Sequence, residues 1–268
     1  SCQAIGCIHE DIEDYHEAFN YNKRALDTYK KLNNLDEIGS MLNNLGNIYE
    51  HFGKWEKALK YLKEALPIKE KVGNKRHQAN VLNNIGLIYS GHYYDNKSAL
   101  KYHMRALEIR LATDDKWGLG YSYENLGMLY FDMKQFDKAL NHYKTALELR
   151  KDLGDIPLIR CTYESLGHFF FEQSNYFKAK EYFNEAILYD NKIDSNRSIF
   201  SYVYHSLTLK KLNIRYDKDV IIKILNKEKN IEFDINLRLY ELLEDTSYLE
   251  TAYNQVQEKA DNLEPDVA

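Results

Sequence analysis

Five glycines constrain this chain more than any other feature. Gly6, Gly46, Gly86, Gly127 and Gly167 stand 40, 40, 41 and 40 residues apart. Each sits in a similar frame, AIGCIH, NLGNIY, NIGLIY, NLGMLY and SLGHFF. Twelve or thirteen residues later comes an alanine (Ala18, Ala58, Ala99, Ala139, Ala179), and seven after that another (Ala25, Ala65, Ala106, Ala146, Ala186). Self-similarity at a fixed period of this length marks a repeat architecture. Each unit is one small motif that cannot bury its apolar face alone, and stacked units can. The single one-residue slip falls in SGHYYDNK, a turn, where an insertion is cheap.

Each unit reads as two helices. The second carries KALKYLKEAL, SALKYHMRAL, KALNHYKTAL or KAKEYFNEAI, all with helical periodicity. Short turns such as HFGKW, DMKQF and EQSNY lie between the two. Only 3 prolines and 12 glycines interrupt the 268 residues, which favours long helices with short connections. Glycine inside a helix costs roughly 1 kcal/mol against alanine. Its recurrence beside a small alanine therefore predicts that the two helices of a hairpin approach closely there. Tyr49, Tyr89, Tyr130 and Phe170 recur three residues later and are expected to fill the space beside the contact. Pro67 falls inside a second helix and is expected to bend it.

The order Leu45-Gly46, Tyr49, Ala58, Leu62, Ala65 resembles the tetratricopeptide repeat, and the match recurs in five units. The usual repeat has about 34 residues. The longer period here resembles the arrays of kinesin light chains, of Leu-Gly-Asn spindle-orientation adaptors and of bacterial peptide-sensing regulators. Leu42, Leu82, Tyr123 and Tyr163 stand where the family's tryptophan would be, and its usual proline near the unit's end is missing. The resemblance implies an all-α, right-handed superhelical solenoid of helix-turn-helix hairpins. Its repeats fall at about 1–34, 35–74, 75–115, 116–155 and 156–193. A degenerate sixth hairpin follows at 194–230, then a capping hairpin and tail at 231–268. The segment from Glu244 to Ala268 also resembles the ends of tetratricopeptide regions in large bacterial signalling proteins. Ser1 and Cys2 already fall within a first helix, so the chain is expected to be a fragment of a longer protein.

Little in the sequence points to chemistry. Neither a phosphate-binding glycine loop nor an HExxH pair is present. The nine histidines scatter over different repeat positions and read as ordinary surface or groove residues. Cys161 and His168 stand two helical turns apart, too far for a nucleophile and its base. No catalytic residue, metal site or cofactor is expected. The net charge of -5 argues against nucleic acid, which usually needs a basic face, and no apolar run approaches the roughly 20 residues a membrane span needs. Cys2, Cys7 and Cys161 make an odd number without CxxC spacing, which fits a reducing, cytoplasmic setting. The KEKVGNKRH run, with Lys69, Lys71, Lys75 and Arg76, reads as a solvated link between units.

In tetratricopeptide arrays the first helices line a concave surface, and the residues before the Leu-Gly pair face it. By that resemblance Asn44, Asn84 and Asn125 share one groove position, and Asn43, Asn83, Glu124 and Glu164 the position before. Asn47 and His168 lie further along the same face, Asn80 and Tyr121 one turn earlier. An asparagine amide offers donors and an acceptor, which matches the needs of a peptide backbone. A ladder of asparagines could therefore hold an extended peptide; alternatively each amide bridges neighbouring helices, and both can hold. The expected function is a non-enzymatic scaffold binding a protein or peptide in its groove, as part of a larger signalling protein. The alternative is a self-contained peptide-sensing regulator that changes shape on binding. With Glu124 and Glu164 on the groove, a neutral or basic peptide is the expected ligand.

Overall fold

The computed structural model of the protein describes residues 12–193, 198–226 and 231–261. The expected first helix of the first repeat, with Gly6 and His9, and the tail with Pro265 lie outside the described residues. Among the described residues the regular structure is thirteen α-helices and no strand. α1 (Ile12–Lys31) precedes four similar hairpins. These are α2 (Leu35–His51) with α3 (Trp55–Val72), α4 (Lys75–Gly91) with α5 (Asn96–Ala112), α6 (Lys116–Asp132) with α7 (Phe136–Leu153), and α8 (Ile156–Glu172) with α9 (Tyr176–Asp190). Then come α10 (Ile199–Lys211), the short α11 (Lys218–Leu225), α12 (Phe233–Leu243) and α13 (Thr246–Asp261). Pro67 does not end α3, which runs on for a turn beyond it.

A two-residue device opens each first helix. Asn33, Gly73, Asp114 and Gly154 take positive φ of 54°, 73°, 50° and 68°, which breaks the preceding helix. The next residue, Asn34, Asn74, Asp115 or Asp155, accepts the amide of Glu37, His77, Gly118 or Leu158 at 3.3, 3.2, 3.0 and 3.1 Å. Such a cap is worth about 1 kcal/mol. The stop and the restart therefore lie on adjacent residues.

The repeating glycines are contact points. A methyl group on Gly46 would stand 2.7 Å from Leu62, one on Gly86 2.7 Å from His103, one on Gly127 2.8 Å from Tyr143, and one on Gly167 2.6 Å from Phe183. These four partners occupy one position of the second helix. Beside each contact two rings stack within the hairpin: Tyr49 on Tyr61, Tyr89 on Tyr102, Tyr130 on His142 and Phe170 on Tyr182, with centroids 5.2, 5.6, 5.2 and 5.3 Å apart. The alanines Ala58, Ala65, Ala99, Ala106, Ala139, Ala146, Ala179 and Ala186 are all fully buried.

Lys69, Arg110 and Arg150 recur near the end of the second helices, and all three are buried. This corrects the reading of Lys69 as part of a solvated link. The residue is 0% exposed, and its ammonium donates to Asp36 Oδ1 at 2.5 Å, the Asp36 carbonyl at 2.6 Å and Ser40 Oγ at 2.8 Å. Asp36 is in turn held below the usual carboxylate range, chiefly by that hydrogen bond. Arg110 donates to Asn80 Oδ1 at 2.8 Å and, in the next unit, to Ser122 Oγ at 2.7 Å. Arg150 donates to Thr162 Oγ1 at 2.5 Å. The position then reverses sign. Asp190 stands there instead, accepts the Ser198 amide at 3.0 Å, and faces Arg160 Nε at 3.8 Å.

The chain divides into two compact units, one reaching to Leu149 and one beginning at Arg150, so that the division falls within α7. In the first, Leu26, Leu42, Leu45, Leu62, Ile85 and Ile88 form a continuous core. In the second, Tyr204 of α10 packs its ring against Phe171 and Phe183, and Leu207, Leu239 and Leu242 are buried. The last hairpin leaves Leu237, Tyr240, Leu249, Tyr253 and Val256 exposed. No helix among the described residues is long and apolar enough to cross a membrane.

Candidate functional site

The asparagines of the first helices meet one another. Asn84 of α4 donates from Nδ2 to Asn43 Oδ1 at 3.1 Å and to Asn47 Oδ1 at 2.9 Å, both on α2. Asn125 of α6 donates to Asn83 Oδ1 of α4 at 2.8 Å. Asn44 donates to Asn22 Oδ1 of α1 at 3.1 Å. The amides thus bridge consecutive units, as one of the two readings had it. Asn43, Asn47 and Asn84 are half-buried, Asn44 is exposed, and Asn83 and Asn125 are buried. Beneath the ladder, His103 Nδ1 lies 3.2 Å from Asn83 Oδ1 and takes the donor role, because that oxygen can only accept. Burial, with the nearby Arg110 cation, pushes the His103 pKa down to about 4, so the ring is neutral at pH 7. His103 is 1% exposed and is therefore a core residue, not the surface histidine expected.

The remaining expected residues fall into separate groups. Asn80 is held by Arg110, as above. Tyr121 stands edge-on to Trp117 with centroids 4.7 Å apart, and the Arg76 guanidinium lies over the other ring of that pair, 5.9 Å from the Trp117 centroid. The two acidic residues do not present charge to solvent: Glu124 is 5% and Glu164 1% exposed. Glu164 accepts from Arg160 Nη1 at 2.9 Å, from Ser201 Oγ at 2.6 Å and from Ser198 Oγ. His168 packs edge-on to Tyr204 and lies 3.7 Å from Glu172, and its pKa is lowered, first by burial. Arg238 of α12 donates to Glu172 at 3.2 Å and to Tyr204 Oη at 3.3 Å, which ties α12 to α8 and α10.

The tetratricopeptide-repeat model matches residues 37–112, 94–152 and 118–187, and a second model of the same description matches 1–36. The chain belongs to the tetratricopeptide-repeat family. Solved structures share the fold of this tetratricopeptide array at low identity. BtubC from P. vanneervenii matches with a TM-score of 0.69 and 14% identity, over 81% of this chain and 94% of that one. A Rap protein complexed with competence and sporulation factor matches with 0.73 and 16%, over 94% and 72%. NprR in complex with its cognate peptide NprX matches with 0.64 and 20%, over 93% and 74%. A search of curated proteins finds no match.

Residues of these groups that were not singled out for the site from sequence include Asn22, Arg76, His103, Arg110 and Trp117. His103 carried a readable signal, since it takes the repeat position of Leu62, Tyr143 and Phe183. Arg110 likewise recurs in register with Lys69 and Arg150. Asn22, four residues after Ala18, takes the position of His103 in the first unit, whereas Trp117 carries no periodic signal.

Proposed function

We propose that this tetratricopeptide array is a non-enzymatic scaffold that holds a peptide or protein segment along the face of α2, α4 and α6. The observation that carries this reading is the state of the Asn43–Asn47–Asn84 trio. Asn84 uses both Nδ2 hydrogens within the array, which leaves its Oδ1 free. Asn43 and Asn47 use an oxygen each and keep their Nδ2 groups. None of these three atoms has a partner among the described residues, and none is sealed from water. Donors and an acceptor, already oriented by one another, face the reciprocal groups of an extended main chain. Pre-ordering of this kind lowers the entropy cost of binding. That Rap and NprR structures of the same fold hold a competence and sporulation factor and the peptide NprX supports the same direction. Likeness to Rap over 94% of this chain favours the narrower reading of a peptide-sensing regulator.

The test is capture of immobilised hexapeptides by the purified chain and by an Asn43→Ala/Asn47→Ala double variant. The expected result is at least tenfold weaker capture with the melting temperature nearly unchanged. A large fall in melting temperature with capture retained would assign the trio to stability alone.

A further inference from the structure

The first turns of α4 and α6 form an edge that the asparagine ladder does not use. Trp117 is 47% exposed, and Tyr121 supports it one turn along. Arg76 lies over the Trp117 ring and, among the described residues, has no carboxylate within ion-pair distance, whereas the half-exposed Arg105 and Arg238 each have one. Behind them the buried Arg110 is matched only by neutral oxygens and by Asp115 at 4.0 Å. That carboxylate is already committed to the Gly118 amide at 3.0 Å. Lys75, Lys116 and Asp114 are exposed on this rim; Asp36 and Glu70 also reach the first turn of α4 but are paired with Lys69 and Arg105, and Glu37 lies near His77. The edge therefore combines an accessible aromatic face with a guanidinium, Arg76, that has no carboxylate within ion-pair distance among the described residues. Glu124 and Glu164, which on sequence grounds favoured a neutral or basic ligand, are buried.

We propose that this edge is a subsite for a peptide segment carrying an apolar side chain next to a carboxylate. Trp117 and Tyr121 receive the apolar group, and Arg76 receives the carboxylate. The subsite rests on the peptide-groove reading above and gives its ligand a chemistry. The Arg76 guanidinium already lies over the indole before the ligand arrives, and its free edge can take a carboxylate through two hydrogen bonds. Arg110 sits in low dielectric, so its field reaches the site with little screening. Exposed tryptophan and arginine are the residue types that most often dominate binding energy.

The experiment screens the whole chain against a positional-scanning library of acetylated hexapeptide amides, then measures single peptides by calorimetry. Ac-Gly-Ser-Phe-Asp-Ser-Gly-NH2 is compared with its Asn and Lys analogues. Ac-Gly-Ser-Ser-Gly-Phe, as free acid and as amide, separates a terminal carboxylate from a side-chain one. The expected result is at least tenfold tighter binding of a carboxylate form than of its neutral analogue. Arg76→Glu should abolish that ratio and turn the preference toward the Lys peptide, while Arg76→Lys keeps part of it. Arg76 is exposed, so these variants should melt with the parent, which circular dichroism checks. Captured peptides with no acidic preference, or a ratio unchanged in Arg76→Glu, would overturn the subsite and leave the groove standing. Failure of a folded chain to bind any library peptide would overturn the groove reading itself and the subsite with it.

Discussion

His103 fills the position that Leu62, Tyr143 and Phe183 take in the neighbouring hairpins, against the glycine of its own unit. It reaches Asn83, which also receives Asn125, so one neutral imidazole steadies a contact between two units. Its pKa is 6.5 in an unperturbed setting and about 4 in the fold, because of burial and then of Arg110. The unfolded chain therefore takes up a proton between those values that the folded chain does not. Stability contributed by the neutral ring is fully present above pH 6.5 and is lost as the pH falls toward 4, by up to about 3 kcal/mol. A His103→Leu variant should show a flatter dependence of denaturation midpoint on pH over that window. A slope equal to that of the parent would rule His103 out as its source. The sequence already contained the register of this residue. What it lacked was the depth of the position, because a histidine among lysines and tyrosines looks solvated until its neighbours across the hairpin are known.

Within a hairpin, the glycine and the bulky side chain facing it act as one unit. Alanine at a helical glycine normally gains about 1 kcal/mol from propensity. At Gly127 a methyl group would meet the Tyr143 ring at 2.8 Å, and Tyr143 is itself buried. Overpacking of that kind costs about 1–3 kcal/mol, so Gly127→Ala should destabilise the protein despite the better helix former. Tyr143→Leu should recover part of the loss in the double variant, measured by urea denaturation. Simple additivity of the two changes would show that they do not share this contact. The hairpins were legible in the sequence because their spacing depends on small residues at a fixed period, and that pattern survives without any knowledge of partners. The cations near the helix ends recur in register, but their burial was not legible. Whether Lys69 is buried depends on Asp36 and Ser40 on the preceding helix, and nothing in its local run of lysines separates it from the exposed Lys71. The candidate groove was legible as a set of positions; which atoms remain free to bind was not, because the amides settle that among themselves.

Across the molecule, stacked hairpins share energy mainly with their nearest neighbours. The core of the first unit around Leu45 and Leu62 and that of the second around Phe183 and Leu207 are built from different helices. A disturbance at Gly46 should therefore fade along the array. Hydrogen exchange of Gly46→Ala should show faster opening in α2 and α3, a smaller effect in α1 and α4, and parent-like protection in α8 to α10. Uniform loss of protection through the chain would mean that the array unfolds as a single cooperative block. The sign reversal at Asp190 has a bearing on how such an array can grow or shrink. Gly39, Ala79 and Gly120 occupy the place of Arg160 in the earlier units, whose second helices end in Lys69, Arg110 and Arg150. Removal of residues 75–115 would rejoin like with like, whereas a hybrid hairpin that set the Arg160 helix against a second helix ending in Lys69, Arg110 or Arg150 would set cation against cation. The two helices of the fifth repeat are thus tied to each other, so recombination that lengthens or shortens the array must keep α8 with α9, whereas the helices of the earlier hairpins meet no such charge restriction at this position.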